Sequence, residues 1–302
     1  MKKIFAFSLI LISALAFAQD PAFTLPYSAP LNLNPALAGS NGSGRFATLF
    51  REQWPKMDAV FRTSYTSYDH MINKINSGIG AYYMYDMTNY VKTDIIAAAY
   101  SYCIQFAEDK VKLSPGIDFG YVMKKIDTAA MEMTDPEIFD KVKISYPDLG
   151  FGLQLTSSRI NFGLSAKHLL SPDQSFDDSL VSKLPIRYSG LFDYTFGEIS
   201  EHKKWKFNGG AYFMSQGSYT HIAGTFVACW RKLRLGLGYS SANAFIVKAA
   251  WEGNILRLRY SYDFYTSALY NSAGGAHEVT TLFNLFKKKK KEEFMEMNNY
   301  HF

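Results

Sequence analysis

Apolar and polar side chains alternate with a period of two in segment after segment of this chain, and that alternation constrains its fold more than any other feature. In Leu256-Arg257-Leu258-Arg259-Tyr260-Ser261-Tyr262-Asp263-Phe264, one face would carry Leu256, Leu258, Tyr260, Tyr262 and Phe264, the other Arg257, Arg259, Ser261 and Asp263. A helix would spread the arginines around its circumference; a strand separates the two sets. The same split recurs at 159–167, 204–214, 232–240 and 243–252. Fourteen such segments are predicted, near 45–53, 59–69, 77–86, 91–106, 110–125, 148–157, 159–167, 185–197, 204–214, 219–230, 232–240, 243–252, 254–265 and 275–286. Many have about 9–12 residues, the reach a tilted strand needs to cross a bilayer, where soluble strands average nearer ~5–6.

Connector length supplies an independent argument. Counted in order, the even connectors at 70–76, 107–109, 158, 198–203, 231 and 253 are short, and the long ones at 126–147, 168–184 and 266–274 are all odd. A soluble sandwich has no reason to sort its loops by parity, whereas an outer-membrane barrel has short periplasmic turns and long outer loops. The fold expected is therefore all-β: a transmembrane, antiparallel, up-and-down β-barrel of about fourteen strands with both termini periplasmic. Composition removes the other classes. At 48% hydrophobic and 16% aromatic residues the chain is too apolar to be disordered. Two cysteines do not make a disulfide scaffold. Past residue 18 no run of 18 apolar residues exists to cross a membrane as a helix. The polar face mixes both signs of charge with many glycines, which suits a hydrated or plugged lumen.

Four regions follow. Residues 1–18 read as a signal peptide, with Lys2 and Lys3 before an apolar Ile4–Phe17 and a small-x-small site at Ala16-Phe17-Ala18. Residues 19–44 form a Pro- and Asn-rich periplasmic lead, 45–286 the barrel, and 287–302 a periplasmic tail opening with Lys287 to Lys291. Such a charge run reads as a solvated segment or a docking tail. Removing two of the 32 Lys and Arg leaves 30 − 27 = +3, too weak for a nucleic-acid surface.

The chain shows no catalytic set. His277-Glu278 lacks the second histidine of H-E-x-x-H, and neither a nucleophile elbow nor a phosphate loop is present. The six histidines have no metal-ligand spacing, so no metal, cofactor or enzymatic activity is expected. Asp118, Asp193 and Asp263 share the lumenal face and are the carboxylates able to meet there. Cys103 and Cys229 fall six strands apart and are expected to be free thiols. The basic stretch Trp230-Arg231-Lys232-Leu233-Arg234 reads as an interfacial tryptophan with turn cations.

Several motifs resemble one family. Asn32-Leu33-Asn34-Pro35-Ala36-Leu37-Ala38-Gly39-Ser40 looks like the NPA-x-AG start of the PorP/SprF proteins of type IX secretion. In order along the chain, Arg51-Glu52-Gln53-Trp54 resembles its R-x-QW, Leu235-Gly236-Leu237-Gly238-Tyr239-Ser240 its LGLSYR, and Tyr260-Ser261-Tyr262-Asp263-Phe264 its GYSYD. Gly274-Gly275-Ala276-His277-Glu278-Val279 resembles its closing SGSHEI. Ala276 in place of Ser, the Leu285-Phe286 ending and the lysine-rich tail depart from the pattern. The resemblance implies a non-enzymatic outer-membrane component of the secretion system. Its partners would be outer-membrane lipid, a secreted adhesin with a C-terminal sorting domain, and a periplasmic secretion ring or peptidoglycan-binding component, with a link to gliding motility. The residues it singles out are Asn34, Pro35, Ala36, Gly39, Arg51, Gln53, Trp54, Tyr262, Asp263, Gly274, Gly275, His277 and Glu278. The lead is expected either to fix turns before the first strand, or to plug the periplasmic mouth or contact a partner. Arg51, Gln53 and Trp54 are expected to stabilise the outer rim or first loop and to hydrogen-bond with His277 and Glu278 across the closure seam, and loops 126–147 and 168–184 to grip a substrate. The alternative is a passive porin or hydrophobic-solute channel.

Overall fold

The computed structural model describes residues 20–57, 61–106, 111–128, 141–196, 205–266 and 273–285. The expected signal peptide and lysine-rich tail lie outside them. Fourteen strands follow one another: β1 (Arg45–Gln53), β2 (Phe61–Ile72), β3 (Ser77–Thr88) and β4 (Val91–Tyr102, resumed after Cys103 as Ile104–Phe106). Next come β5 (Val111–Ile126), β6 (Lys143–Ser157), β7 (Ile160–Lys167), β8 (Arg187–Phe196) and β9 (Trp205–Gln216). β10 (Tyr219–Trp230), β11 (Leu233–Ser240), β12 (Ala244–Glu252), β13 (Leu256–Tyr265) and β14 (Ala276–Asn284) complete the set. Each pairs antiparallel with its neighbours in sequence, and β14 pairs with β1 from Arg45↔Asn284 to Gln53↔Ala276. Closure leaves no sheet edge, as a bilayer requires.

The faces separate as the alternation predicts. On β13, Arg257, Arg259, Ser261 and Asp263 are buried toward the lumen, while Leu258, Tyr260 and Phe264 point out. Leu235 and Leu237 are each 66% exposed on the outer face. In water each such side chain would forgo about 1.5–3 kcal/mol of burial; in hydrocarbon it does not. The rim at which β1 starts and β14 ends, called here the near rim, carries an aromatic girdle. Trp205 stacks on Phe207 at 6.4 Å and approaches Trp230 at 6.4 Å. Arg231 lies 5.3 Å over the Trp230 ring, and Arg234 turns into the lumen. Cys103 and Cys229 are free and buried.

β6 starts five residues before its predicted position. Its first residues pair with β5 as far as Lys125↔Lys143, whereas pairing with β7 begins only at Phe151. Pro147 therefore sits where one flank has no strand to receive an N–H, a position that tolerates proline.

Candidate functional site

The lumen is filled by the chain's own lead. From Pro21 to Gly44 there is no charged residue, and from Ser28 to Gly39 every residue is buried. Three prolines break this segment into short turns: Pro26–Ser28 and Pro35–Leu37 are 3-10 turns, and Pro30–Leu33 is a single α-turn, α1. Each starts at a proline, whose missing N–H needs no partner at a helix start. Asn34 caps the last of them, its Oδ1 accepting from Ala36 N–H at 3.0 Å.

An irregular segment buried in this way must satisfy its backbone polar groups, and the lumenal side chains do so. Glu278 accepts from the N–H of Thr24 (2.9 Å) and of Leu25 (2.8 Å). Arg187 donates to Asn32 O at 2.7 Å, Ser165 to Leu33 O at 2.7 Å, and Arg45 to Leu37 O at 3.1 Å. Ser101 donates to Ala38 O at 2.8 Å, and Asp69 accepts from Gly39 N–H at 2.8 Å while holding Arg45. Leu25, Ala29 and Leu31 are fully buried, Ala29 and Leu31 in one cluster with Tyr65, Met84 and Val122.

Glycines on the strands make the groove. A Cβ on Gly116 would lie 2.4 Å from Ala36 N, and one on Gly152 would lie 1.9 Å from Asn34 Oδ1. Only bare backbone lets the Asn34-Pro35-Ala36 turn approach this closely. Asn34 then reaches between β6 and β7, donating to Leu153 O (3.0 Å) and Leu164 O (3.2 Å).

The lead runs the full height of the barrel. Asp20 lies at the opposite, far rim, where Arg187 donates to it at 2.6 Å and His168 Nε2 stands 2.7 Å away. His168 also comes within 2.9 Å of Asp148. Burial alone would lower the His168 pKa, but the Asp20 and Asp148 carboxylates outweigh it and raise it to about 9. The lead reaches the near rim at Gly44 and Arg45, so it lies inside the barrel; of the two expectations it follows the plug, but it fills the lumen from rim to rim and not one mouth alone. Alternation reports which strand face is polar; it carries no information about what fills the lumen.

The residues singled out by motif separate into four groups. Asn34, Pro35, Ala36 and Gly39 occupy the near half of the lumen. Arg51, Asp263 and Glu278 converge across the seam: Arg51 meets Glu278 at 3.2 Å and Asp263 at 3.0 Å, and Thr24 Oγ1 lies within 2.8 Å of Arg51 and 2.7 Å of Asp263. His277 does not join them. It points outward, 2.9 Å from Tyr260 OH and with its ring 4.6 Å from that of Tyr262, both on β13 and away from the seam. Gln53 and Trp54 line the far-rim opening, and Gly275 O accepts from Trp54 N–H at 2.9 Å beside Gly274 at φ 79°. Asp118, Asp193 and Asp263 stay apart, bound respectively to Lys167, Tyr27 and Arg51.

A family model described as type IX secretion system membrane protein PorP/SprF matches residues 15–283. The chain belongs to that family. No curated protein matches it. Among solved structures it is similar to the Acinetobacter baumannii outer membrane protein Omp33, with 6% identity over 80% of this chain and 98% of that one and a TM-score of 0.48. It is also similar to the KdgM porin (10% identity, 80% and 99% covered, TM-score 0.40) and to the TodX monoaromatic hydrocarbon channel (10%, 86% and 94%, 0.45). This member of the PorP/SprF family of type IX secretion system membrane proteins is a closed β-barrel whose lumen is occupied by its own N-terminal segment. Sequence reasoning missed Asp69, Ser101, Ser165 and Arg187 as lead contacts, because a lumenal serine or aspartate reads the same whether it meets water or a peptide.

Proposed function

We propose that this PorP/SprF barrel is a closed scaffold of the secretion machine and not a pore. The observation that carries the reading is the continuous buried run from Ser28 to Gly39, sealed by strand side chains on every side. An open channel has no use for twelve buried residues in its lumen. The near rim then faces the periplasm and its short turns meet periplasmic ring or peptidoglycan-binding components. The far rim faces outward. There the segment 168–186 folds back on itself, with Asp173 paired to Lys183 and Leu184 buried against the core, while Leu180 and Val181 stand exposed at its tip. Exposed apolar groups on an ordered outer loop suit contact with a secreted adhesin. Residues 129–140 of the other long loop lie outside the described residues.

The test is a mild-detergent pull-down of the full chain from outer membranes, with mass spectrometry of what stays bound. Stoichiometric periplasmic ring subunits or a large secreted protein support the scaffold. A lone monomeric barrel contradicts it and favours a solute channel.

A further inference from the structure

At the far rim the barrel opens above the lead into a vestibule of about 810 Å³, within the range of ~300–1,000 Å³ typical of ligand sites. One wall is aromatic. Trp54 packs edge-on against Phe61 at 5.0 Å and lies 6.1 Å from Tyr265. Trp54 is held at φ 58°, a left-handed conformation that costs a bulky residue roughly 1–2 kcal/mol. Its backbone is fixed there by the bond to Gly275 O and by Met57 N–H, which donates to Trp54 O at 3.0 Å.

The charged residues in the lining are Asp20, Asp86 and Asp263 against Arg51. Asp20 is engaged by Arg187 and His168, and Asp263 by Arg51. Asp86 differs. Its oxygens receive the Thr63 hydroxyl at 2.6 Å and the Thr88 hydroxyl at 3.0 Å, and among the described residues no cation stands within ion-pair distance. His221, 8% exposed, also borders the space, and its Nδ1 has no hydrogen-bond partner among the described residues.

We propose that this vestibule is a binding site for an ammonium or guanidinium group on an apolar stem, as a lysine or arginine side chain of a polypeptide segment supplies. The carboxylate of Asp86 attracts the charge, and the aromatic wall takes both the cation, through its ring faces, and the aliphatic stem. An anion is repelled by Asp86, and a neutral sugar makes no ion pair with it. Reading the ligand as polypeptide rests on the scaffold role, in which a protein partner arrives at this rim.

The experiment follows the intrinsic fluorescence of the detergent-solubilised full chain, titrated with acetyl-tri-arginine amide, tri-glutamate and maltotriose. Trp205, Trp230 and Trp251 are exposed at the near rim, so a vestibule ligand perturbs Trp54 alone. Tri-arginine is expected to give a saturable change that Trp54→Phe abolishes. Asp86→Asn is expected to weaken it about tenfold with heat-modifiability unchanged, and added salt to weaken it further. Equal binding of tri-glutamate or maltotriose, an unaltered affinity in Asp86→Asn, or no saturable change in the native chain overturns the proposal. A barrel that co-purifies with the secretion machine yet ignores tri-arginine loses only the vestibule assignment. Failure in the pull-down with tri-arginine still bound loses only the scaffold.

Discussion

In its near half the lumen is full; in its far half it is packed on the side of Met84, Val122 and Tyr146 and hollow on the side of Trp54 and Tyr265. Around Ala36, Leu37 and Arg45 the remaining spaces measure about 50 and 30 Å³, whereas the far vestibule measures about 810 Å³. The same fourteen strands wall both halves. In the near half, strand glycines and small hydroxyl residues cede volume to the Asn34-Pro35-Ala36 turn. In the far half, large aromatic side chains line the wall, and the lead offers only Asp20–Thr24 as a floor. A barrel is therefore closed or opened at a given height by the size of its inward residues and by whether a segment exists to meet them. Charged side chains hold the lead in both halves, Arg45 and Asp69 in the near one and Glu278 and Arg187 in the far one, but the close fit against strand glycines belongs to the near half.

Removing the far anchor is expected to have the largest effect. Glu278→Ala leaves the Thr24 and Leu25 amides without acceptors and Arg51 without one of its two carboxylates, which costs about 3–5 kcal/mol. Heat- or urea-induced loss of the folded gel form measures it, and Glu278→Gln should lose less. Next comes the near half. Gly116→Val drives a side chain into Ala36 and is expected to cost at least about 1–3 kcal/mol, with the lead becoming cleavable by added protease. Gly224, whose Cβ position has nothing within 4 Å, is the matched control, and Gly224→Ala should stay within ~0.5 kcal/mol.

A smaller effect should follow pH. The folded His168 pKa is raised from 6.5 to about 9. Its stabilisation is therefore complete below about pH 6.5 and is lost as the pH rises through about 9. Thermal unfolding followed from pH 6 to pH 10 should show this decline, and His168→Gln should flatten it. The smallest effect belongs to the outer face. His277→Ala removes one exposed bond to Tyr260 and should cost less than ~1 kcal/mol. A larger loss would mean that the seam is held from outside as well as from the lumen.

The strands were legible because lipid on one side and lumen on the other impose a strict alternation; Leu256–Tyr265 and Tyr219–Trp230 could be placed almost residue by residue. The connection between Arg51 and Glu278 was half legible: proximity followed from closure, but their common partner Thr24 did not, since nothing local ties residue 24 to residue 278. The plug itself left a sequence signal in the stretch from Pro21 to Gly44 without a charge, because a segment so apolar and uncharged belongs in a buried place. Its path could not be read, because the complementary glycines lie 80 to 118 residues further along the chain, Gly116 beyond Ala36 and Gly152 beyond Asn34.

The measurement that bears most directly on the closed lumen is the ionic conductance of the purified full chain in a planar bilayer. The lead, pinned at both ends, predicts an electrically silent insertion, with steps appearing only when Gly116→Val or Glu278→Ala loosens it. Steady stepwise conductance from the native chain would contradict the account.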